Sequence, residues 1–310
     1  MPAPASAHEH PARPREPRFA VNSYSTPHNS VYDDVEQTAA IGGAAVGLWE
    51  GKFGDGDDQK IADFMAGHGI AASFCVPRVH SILGIPFDRP GTPTDPAERT
   101  ELICASVHRL ARFAPAVIAV APGTSGDPDR PVGPVEAVAE HLPAIADAAA
   151  EHGLAIGLEL LAQRRGSPLH TIPAMVEMID SVGRENIGIM FDVFHSWSEP
   201  DLDDRIRRYG HRINSVQVCD VRVDERSGHD RELPGRGRGT AAGIIASLLE
   251  AGYDGYWELE VFSDDGTYFN DFPDSYWKLP HAEFLAMSKS AFDETYAAAL
   301  RILAERRGGA

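Results

Sequence analysis

The chain has 310 residues, 43% hydrophobic and 24% charged, the balance of a globular protein with a large core. No stretch reaches the roughly 20 consecutive apolar residues of a membrane span. A net charge of -18 excludes the basic footprint that nucleic acid or an anionic membrane demands, but leaves sugars and cations as ligands.

The first 18 residues, "MPAPASAHEHPARPREPR", lack the apolar stretch of a secretory signal and are expected to form a disordered tail with His8 and His10 in solvent. From Phe19 onward, short apolar runs alternate with helix-patterned segments. The runs are "FAVNSY" (19–24), "AVGLWE" (45–50), "IAASFCV" (70–76), "AVIAVAP" (116–122), "LAIGLEL" (154–160), "IGIMFDV" (187–193), "NSVQVCD" (214–220) and "YWELEVF" (256–262). Between them lie segments such as "PVEAVAEHLPAIADAAAEHG" (134–153), which has helical spacing and ends on a Gly. Strand–helix alternation predicts parallel βαβ units, and eight rounds predict a closed (β/α)8 TIM barrel over residues 19–310. An open doubly wound sheet is disfavoured because no G-x-G-x-x-G follows the first strand. The long insertions at 77–95 and 262–280 follow strands and are expected to be ordered loops on the active-site face. Cys75, Cys104 and Cys219 are odd in number and far apart, which suits reduced thiols of a cytoplasmic protein.

Barrel chemistry uses side chains at the C-terminal strand ends, so polar residues in apolar context there are informative. Glu159 ends "AIGLEL", Asp192 ends "IGIMFD", Gln217 lies in "INSVQVCD" and Glu260 ends "YWELE". A single strand-end acid is an ordinary cap or turn residue. Three acids and an amide on four consecutive strands would repel one another unless a cation sat between them. Their oxygens suit a hard divalent ion such as Mg²⁺ or Mn²⁺. Glu258 shares a strand face with Glu260 and needs a partner of its own, expected to be a neighbouring Arg or Lys.

The segments "GLELLAQRRG", "FDVFHSW", "VQVCDV" with "HDRELPGRG", and "GYDGYWELE" resemble four signature segments of the sugar phosphate isomerase/epimerase family, whose fold is a xylose-isomerase-like TIM barrel. The likeness spans residues 19 to about 262. It implies a metal on Glu159, Asp192, Gln217 and Glu260, with His195 and Arg231 holding substrate oxygens. Two departures put a plain ketose 3-epimerase in doubt: Gln217 stands where such enzymes usually carry His, and Arg165 where they commonly carry an acid. Gln at the first position is similar to dehydroshikimate dehydratase-like members. The "SDDGT…FPDSYWKL" segment resembles α subunits of C-glycoside deglycosidases, which pair with a small β subunit and act on 3-keto-glycosides.

The resemblance therefore implies proton abstraction beside a carbonyl, with Glu159, Glu260 or His195 as the base. The leading expectation is a lyase acting on 3-keto-C-glycosides. The alternatives are a sugar isomerase or epimerase, a dehydroshikimate dehydratase-like lyase, and a polyol-binding barrel without activity. Trp49, Glu50, Arg78 and His80, which follow strands two and three, are expected beside the sugar or aglycone, and an oligomer is expected.

Overall fold

The computed structural model describes residues 16–130, 132–238 and 240–308. The tail expected over 1–18 therefore lies outside the described residues, His8 and His10 included, except for its last three positions. Arg18 already belongs to the first strand.

Eight parallel strands close on themselves in sequence order. They are β1 (Arg18–Asn22), β2 (Ala45–Trp49), β3 (Ala71–Val76), β4 (Val117–Val120), β5 (Ala155–Glu159), β6 (Ile187–Asp192), β7 (Ile213–Val218) and β8 (Tyr256–Leu259). The ring shuts where β8 pairs with β1, Ala20 opposite Glu258. Outside run α1 (Val31–Ala40), α2 (Asp58–His68), α3 (Pro96–Leu110), α4 (Val135–Ala150) and α5 (Ile172–Val182). They are followed by the short α6 (Val193–Ser196), α7 (Leu202–Tyr209), α8 (Ala241–Glu250) and α9 (His281–Gly308). The expected (β/α)8 barrel is thus the observed fold, and none of its described helices is long and apolar enough to cross a membrane.

All the observed strands but β3 end one to three residues before the sequence-predicted runs, because the chain leaves the ladder as it reaches the C-terminal face of the barrel. Asn22 ends β1 by capping a 3-10 turn, its side chain accepting from the Tyr24 amide. Asp192 ends β6 in the same way, capping α6 through Phe194 N at 2.7 Å. Glu260 falls one residue beyond β8.

Alternation along β8 sorts its side chains. Trp257 and Leu259 face the helices, Trp257 meeting Tyr296 of α9 edge-on. Glu258 and Glu260 face the barrel interior. Among the described residues Glu258 finds no Arg or Lys there, which corrects the sequence expectation. Its carboxyl lies over Gly47, where an added Cβ would stand 1.7 Å from Oε1, and beside Ser73. Burial holds it well above the ordinary carboxylate range, so it sits in the barrel as a neutral acid.

The loop at 77–95 is tied down by one buried cation. Arg99 of α3 donates through Nε to Ser81 O at 2.8 Å, through Nη2 to Ser81 Oγ at 2.6 Å, and through Nη1 to Asp88 at 2.7 Å. Arg99 is 1% exposed, so its donors have no water to fall back on. Replacing it with Leu is expected to destabilise the protein by about 3 kcal/mol, as for a broken buried ion pair. Limited proteolysis should then cut first within 77–95; an unchanged melting temperature and cleavage pattern would contradict this account of the loop.

Candidate active site

A narrow cavity of about 80 Å³ opens at the C-terminal face of the barrel. Glu159, Gln217, Glu260, His195 and Arg231 all line it. Asp192 lies directly behind, fully buried. Adjacent strands deliver these groups side by side: Asp192 pairs in register with Gln217, and Gln217 with Glu258, two residues before Glu260.

The polar contacts are unequal. Glu260 is held on three sides: its Oε1 accepts from Asn22 Nδ2 at 2.6 Å and from Gln217 Nε2 at 2.7 Å, and its Oε2 from Arg231 Nη1 at 2.7 Å. The same Arg231 Nη1 donates to Asp192 Oδ2 at 2.8 Å. Two aromatic faces sandwich this guanidinium, with Cζ 4.6 Å from the Phe194 centroid and 4.8 Å from that of Phe262. Glu159, by contrast, accepts no hydrogen bond among the described residues, and Gln217 Oε1 is buried with no partner. His195 Nε2 lies 3.6 Å from Asp192 Oδ2, and its buried Nδ1 is likewise unpartnered. One ligand atom each from Glu159, Asp192 and His195 lie within 4.8 Å of one another.

Burial sets the protonation of this cluster. It pushes Glu260 up to about 8, Arg231 pulling down and Asp192 pushing up. Burial, then the Glu260 and Asp192 charges, hold Glu159 well above the usual carboxylate range. Burial, then Arg231 and Arg165, drive His195 well below its ordinary value, which leaves the imidazole neutral and able to use a ring lone pair. Crowded carboxylates and an orphaned amide oxygen form a donor set that a divalent ion satisfies. Arg231 supplies only one positive charge, and it reaches neither Glu159 nor Gln217 Oε1.

Of the residues expected beside the sugar, His80 lines the cavity and Trp49, Glu50 and Arg78 do not. Glu50 turns away because α3 claims it: Oε2 accepts from Ser106 Oγ at 2.6 Å and Arg78 N at 2.8 Å, and Oε1 from Arg109 at 3.1 Å. Arg78 is exposed. Trp49 stands behind the lining, stacked on Tyr24 at 4.8 Å.

Sequence reasoning noted Arg165, another lining residue, only as a departure from the epimerase pattern, and missed Tyr24, Phe87, His229 and Phe262, all of which line the cavity. They form an aromatic wall, with His229 edge-on to both Phe87 and Phe262 at 5.4 Å and stacked on Tyr268 at 5.0 Å. Buried Asp264 orders the loop behind this wall by accepting from the amides of Tyr268, Phe269 and Asn270 at 2.7–2.9 Å. Burial lowers His80 and His229 to about 4, so both present neutral rings. The available signal was "HDRELP", where His229 and Arg231 flank Asp230 and so share a face.

Comparison with known proteins follows the geometry. A 3-dehydroshikimate dehydratase of Pseudomonas aeruginosa is 35% identical over 136 residues, 41% of this chain and 21% of that protein. A D-psicose 3-epimerase of Enterocloster bolteae is 28% identical over 119 residues, 38% of this chain and 37% of that one. The matched part thus spans well under half the length of either relative. The crystal structure of the IOLI protein with a bound zinc atom shares the fold, with TM-score 0.73 at 16% identity over 90% of this chain and 97% of that one. The family model for the xylose isomerase-like TIM barrel matches residues 35–286, and the chain belongs to that family.

Proposed function

We propose that this protein is a divalent-metal-dependent lyase that removes a proton beside the carbonyl of a polyhydroxylated ketone and expels the substituent on the next carbon. The ion would be held by Glu159, Asp192, Gln217 Oε1 and Glu260, with Mg²⁺ or Mn²⁺ favoured by an all-oxygen set. When bound, it supplies the Lewis acidity that stabilises negative charge on the substrate oxygen.

The observation that carries the lyase over the epimerase is the asymmetry between the two carboxylates. An epimerase that works with two bases needs both carboxylates able to exchange protons, one on each face of the substrate. Glu260 is fixed by Asn22, Gln217 and Arg231, whereas Glu159 takes no hydrogen bond. A carboxylate that takes no hydrogen bond, and that the ion would keep ionised, suits elimination as its base. Glu159 accepts the C–H proton, the bond pair moves toward the carbonyl to give the enolate, and its collapse forms a C=C bond as the leaving group departs with a proton. Arg231 keeps Asp192 and Glu260 in place, and its Nε, buried without a partner, is available to a substrate oxygen. The departing group takes back the proton that Glu159 abstracted, while His195, neutral and with an unpartnered ring nitrogen, is placed to accept a hydrogen bond from a substrate hydroxyl.

The aromatic wall of Phe87, His229 and Phe262 favours an aryl leaving group, and hence a 3-keto-C-glycoside losing its aglycone. Exposed Phe269 and Val223, on the loops after β8 and β7, support a small partner subunit docking at this mouth. The second reading is a dehydroshikimate dehydratase-like elimination of water, supported by the local similarity to such an enzyme. Both share the base, the ion and the direction of bond breaking. A sugar isomerase or epimerase would use the same ion but return the proton.

Metal binding can be read without activity. Saturating Mn²⁺, at about 100 times its Kd, is expected to stabilise the protein by roughly 2.7 kcal/mol. Glu159→Gln should melt like the metal-free protein and gain nothing from Mn²⁺; a full Mn²⁺ response in this variant would remove Glu159 from the ligand set. Incubation with a 3-keto-C-glycoside should release free aglycone, slowed by more than about 10² in Glu159→Gln, which removes a general base and a metal ligand together. Epimerised sugar without aglycone would overturn the lyase reading.

A further inference from the structure

Arg165 is the cation in the cavity for which the site described above has no use. It ends the 3-10 turn that follows β5 (Gln163–Arg165) and is half-buried in the cavity lining. Its backbone is fixed. The amide donates to Ala162 O at 2.9 Å, and the carbonyl accepts from Gly126 N at 2.8 Å and from Thr124 Oγ1. The next residue, Gly166, has φ 73°, and a Cβ there would stand 2.1 Å from Ser125 Oγ and 2.3 Å from Asp127 O. The turn is therefore locked at a place only glycine can occupy.

The guanidinium lies across Gly228 on the opposite loop, where a Cβ would come within 2.1 Å of Nη1 and 2.6 Å of Nη2. Absence of a side chain at Gly228 makes the space for the fork. None of its donors meets a hydrogen-bond or ion-pair partner among the described residues. Neighbouring Arg164 behaves differently, donating to Phe194 O at 2.8 Å and pairing with Glu225 at 3.2 Å. Arg231, the other guanidinium of the cavity, is already engaged by Asp192 and Glu260.

An acidic chain, with 46 Asp and Glu against 28 Lys and Arg, has thus left one arginine of its cavity without an acid. A planar fork of five N–H donors, held in place and desolvated on one side, matches a carboxylate held by two parallel hydrogen bonds. We infer that Arg165 is a specificity residue that binds a carboxylate carried by the substrate, so that the natural ligand bears an acid group in addition to the carbonyl beside which it is enolised. The inference rests on the proposed enolising site only in placing the carbonyl of the same molecule at the Glu159 end of the cavity.

Calorimetric titration of the metal-loaded protein with a dihydroxy-oxocyclohexene carboxylate and with its methyl ester tests it. The acid is expected to bind about 10- to 100-fold more tightly than the ester, the span of a hydrogen bond to a charged group. Arg165→Gln should remove that difference while leaving ester affinity and melting temperature unchanged, and Arg165→Lys should restore only part of it. Gly228→Ala, which displaces the fork without altering its charge, should also weaken acid binding selectively. Equal affinity for acid and ester in the wild-type protein, no binding of either, or a preference that survives Arg165→Gln would overturn the inference.

Deuterium exchange beside the carbonyl, followed in the same samples, separates this outcome from the fate of the enolising reading. Exchange without acid preference sinks the role of Arg165 alone. Acid preference without exchange supports that role and sinks the proposed chemistry.

Discussion

Crowded negative charge at the end of a low-dielectric barrel governs this structure. Asp192, Glu260 and Glu159 converge where water is scarce, and such groups stay together only if a cation joins them or if they hold on to protons. Arg231 joins two of the three. Its Nη1 lies 2.8 Å from Asp192 and 2.7 Å from Glu260, and stacked phenyl rings fix its plane. The third carboxylate is left to a proton or to a second cation. The residual demand for charge falls on Glu159 and Gln217 Oε1, the two groups through which a divalent ion would gain most by binding.

The scaffold around this cluster is built to keep it from relaxing. Asp192 is capped to α6, Glu260 is tethered to β1 and β7, and the backbone of Arg231 is pinned by its amide to Phe262 O at 2.7 Å. Asp230, between His229 and Arg231, accepts from Arg226 at 2.6 Å and is paired with Arg222 at 3.0 Å, which anchors that loop from behind. Each tether comes from a different strand or loop, so no local unfolding event short of opening the barrel mouth frees the carboxylates. Rigid support of this kind is what positions a reacting atom within the small tolerance chemistry requires.

Period and strand-end chemistry made much of this visible in the sequence. Apolar runs at regular intervals gave eight strands, because a parallel barrel strand is buried on both faces and reads as a continuous hydrophobic run. Polar residues ending such runs gave Glu159, Asp192, Gln217 and Glu260, since the barrel mouth is where a polar strand residue can be used. Residues that follow a strand were harder. Glu50 and His80 looked alike in sequence, yet Ser106 and Arg109 of α3 draw Glu50 outward while His80 stays in the cavity. Nothing local distinguishes them, because the deciding partners lie more than 50 positions away. Glu258 failed for the complementary reason: alternation placed it inside correctly, but burial without a cation made it a neutral acid rather than half of an ion pair.

The cavity walls also constrain what can fill it. One side is apolar and flat, made of Phe87, Phe262 and the neutral ring of His229; another presents the unpaired fork of Arg165 over Gly228. Desolvating a guanidinium without giving it an acceptor costs more than leaving it in water, so a small neutral ketose seated here would leave the Arg165 donors unanswered. A ligand that lays a ring against the aromatic wall and turns an oxyanion to Arg165 satisfies both surfaces at once. Its hydroxyl-bearing carbons then remain to be oriented by Arg231 Nε and His195, polar groups of the cavity that, like Gln217 Oε1, have atoms without a partner among the described residues. The order in which a ligand meets these groups follows from their range: the charge of Arg165 acts over several ångströms, whereas stacking and hydrogen bonds act only at contact. The cation therefore sets which end of the ligand enters first, and the aromatic wall sets how it lies once inside.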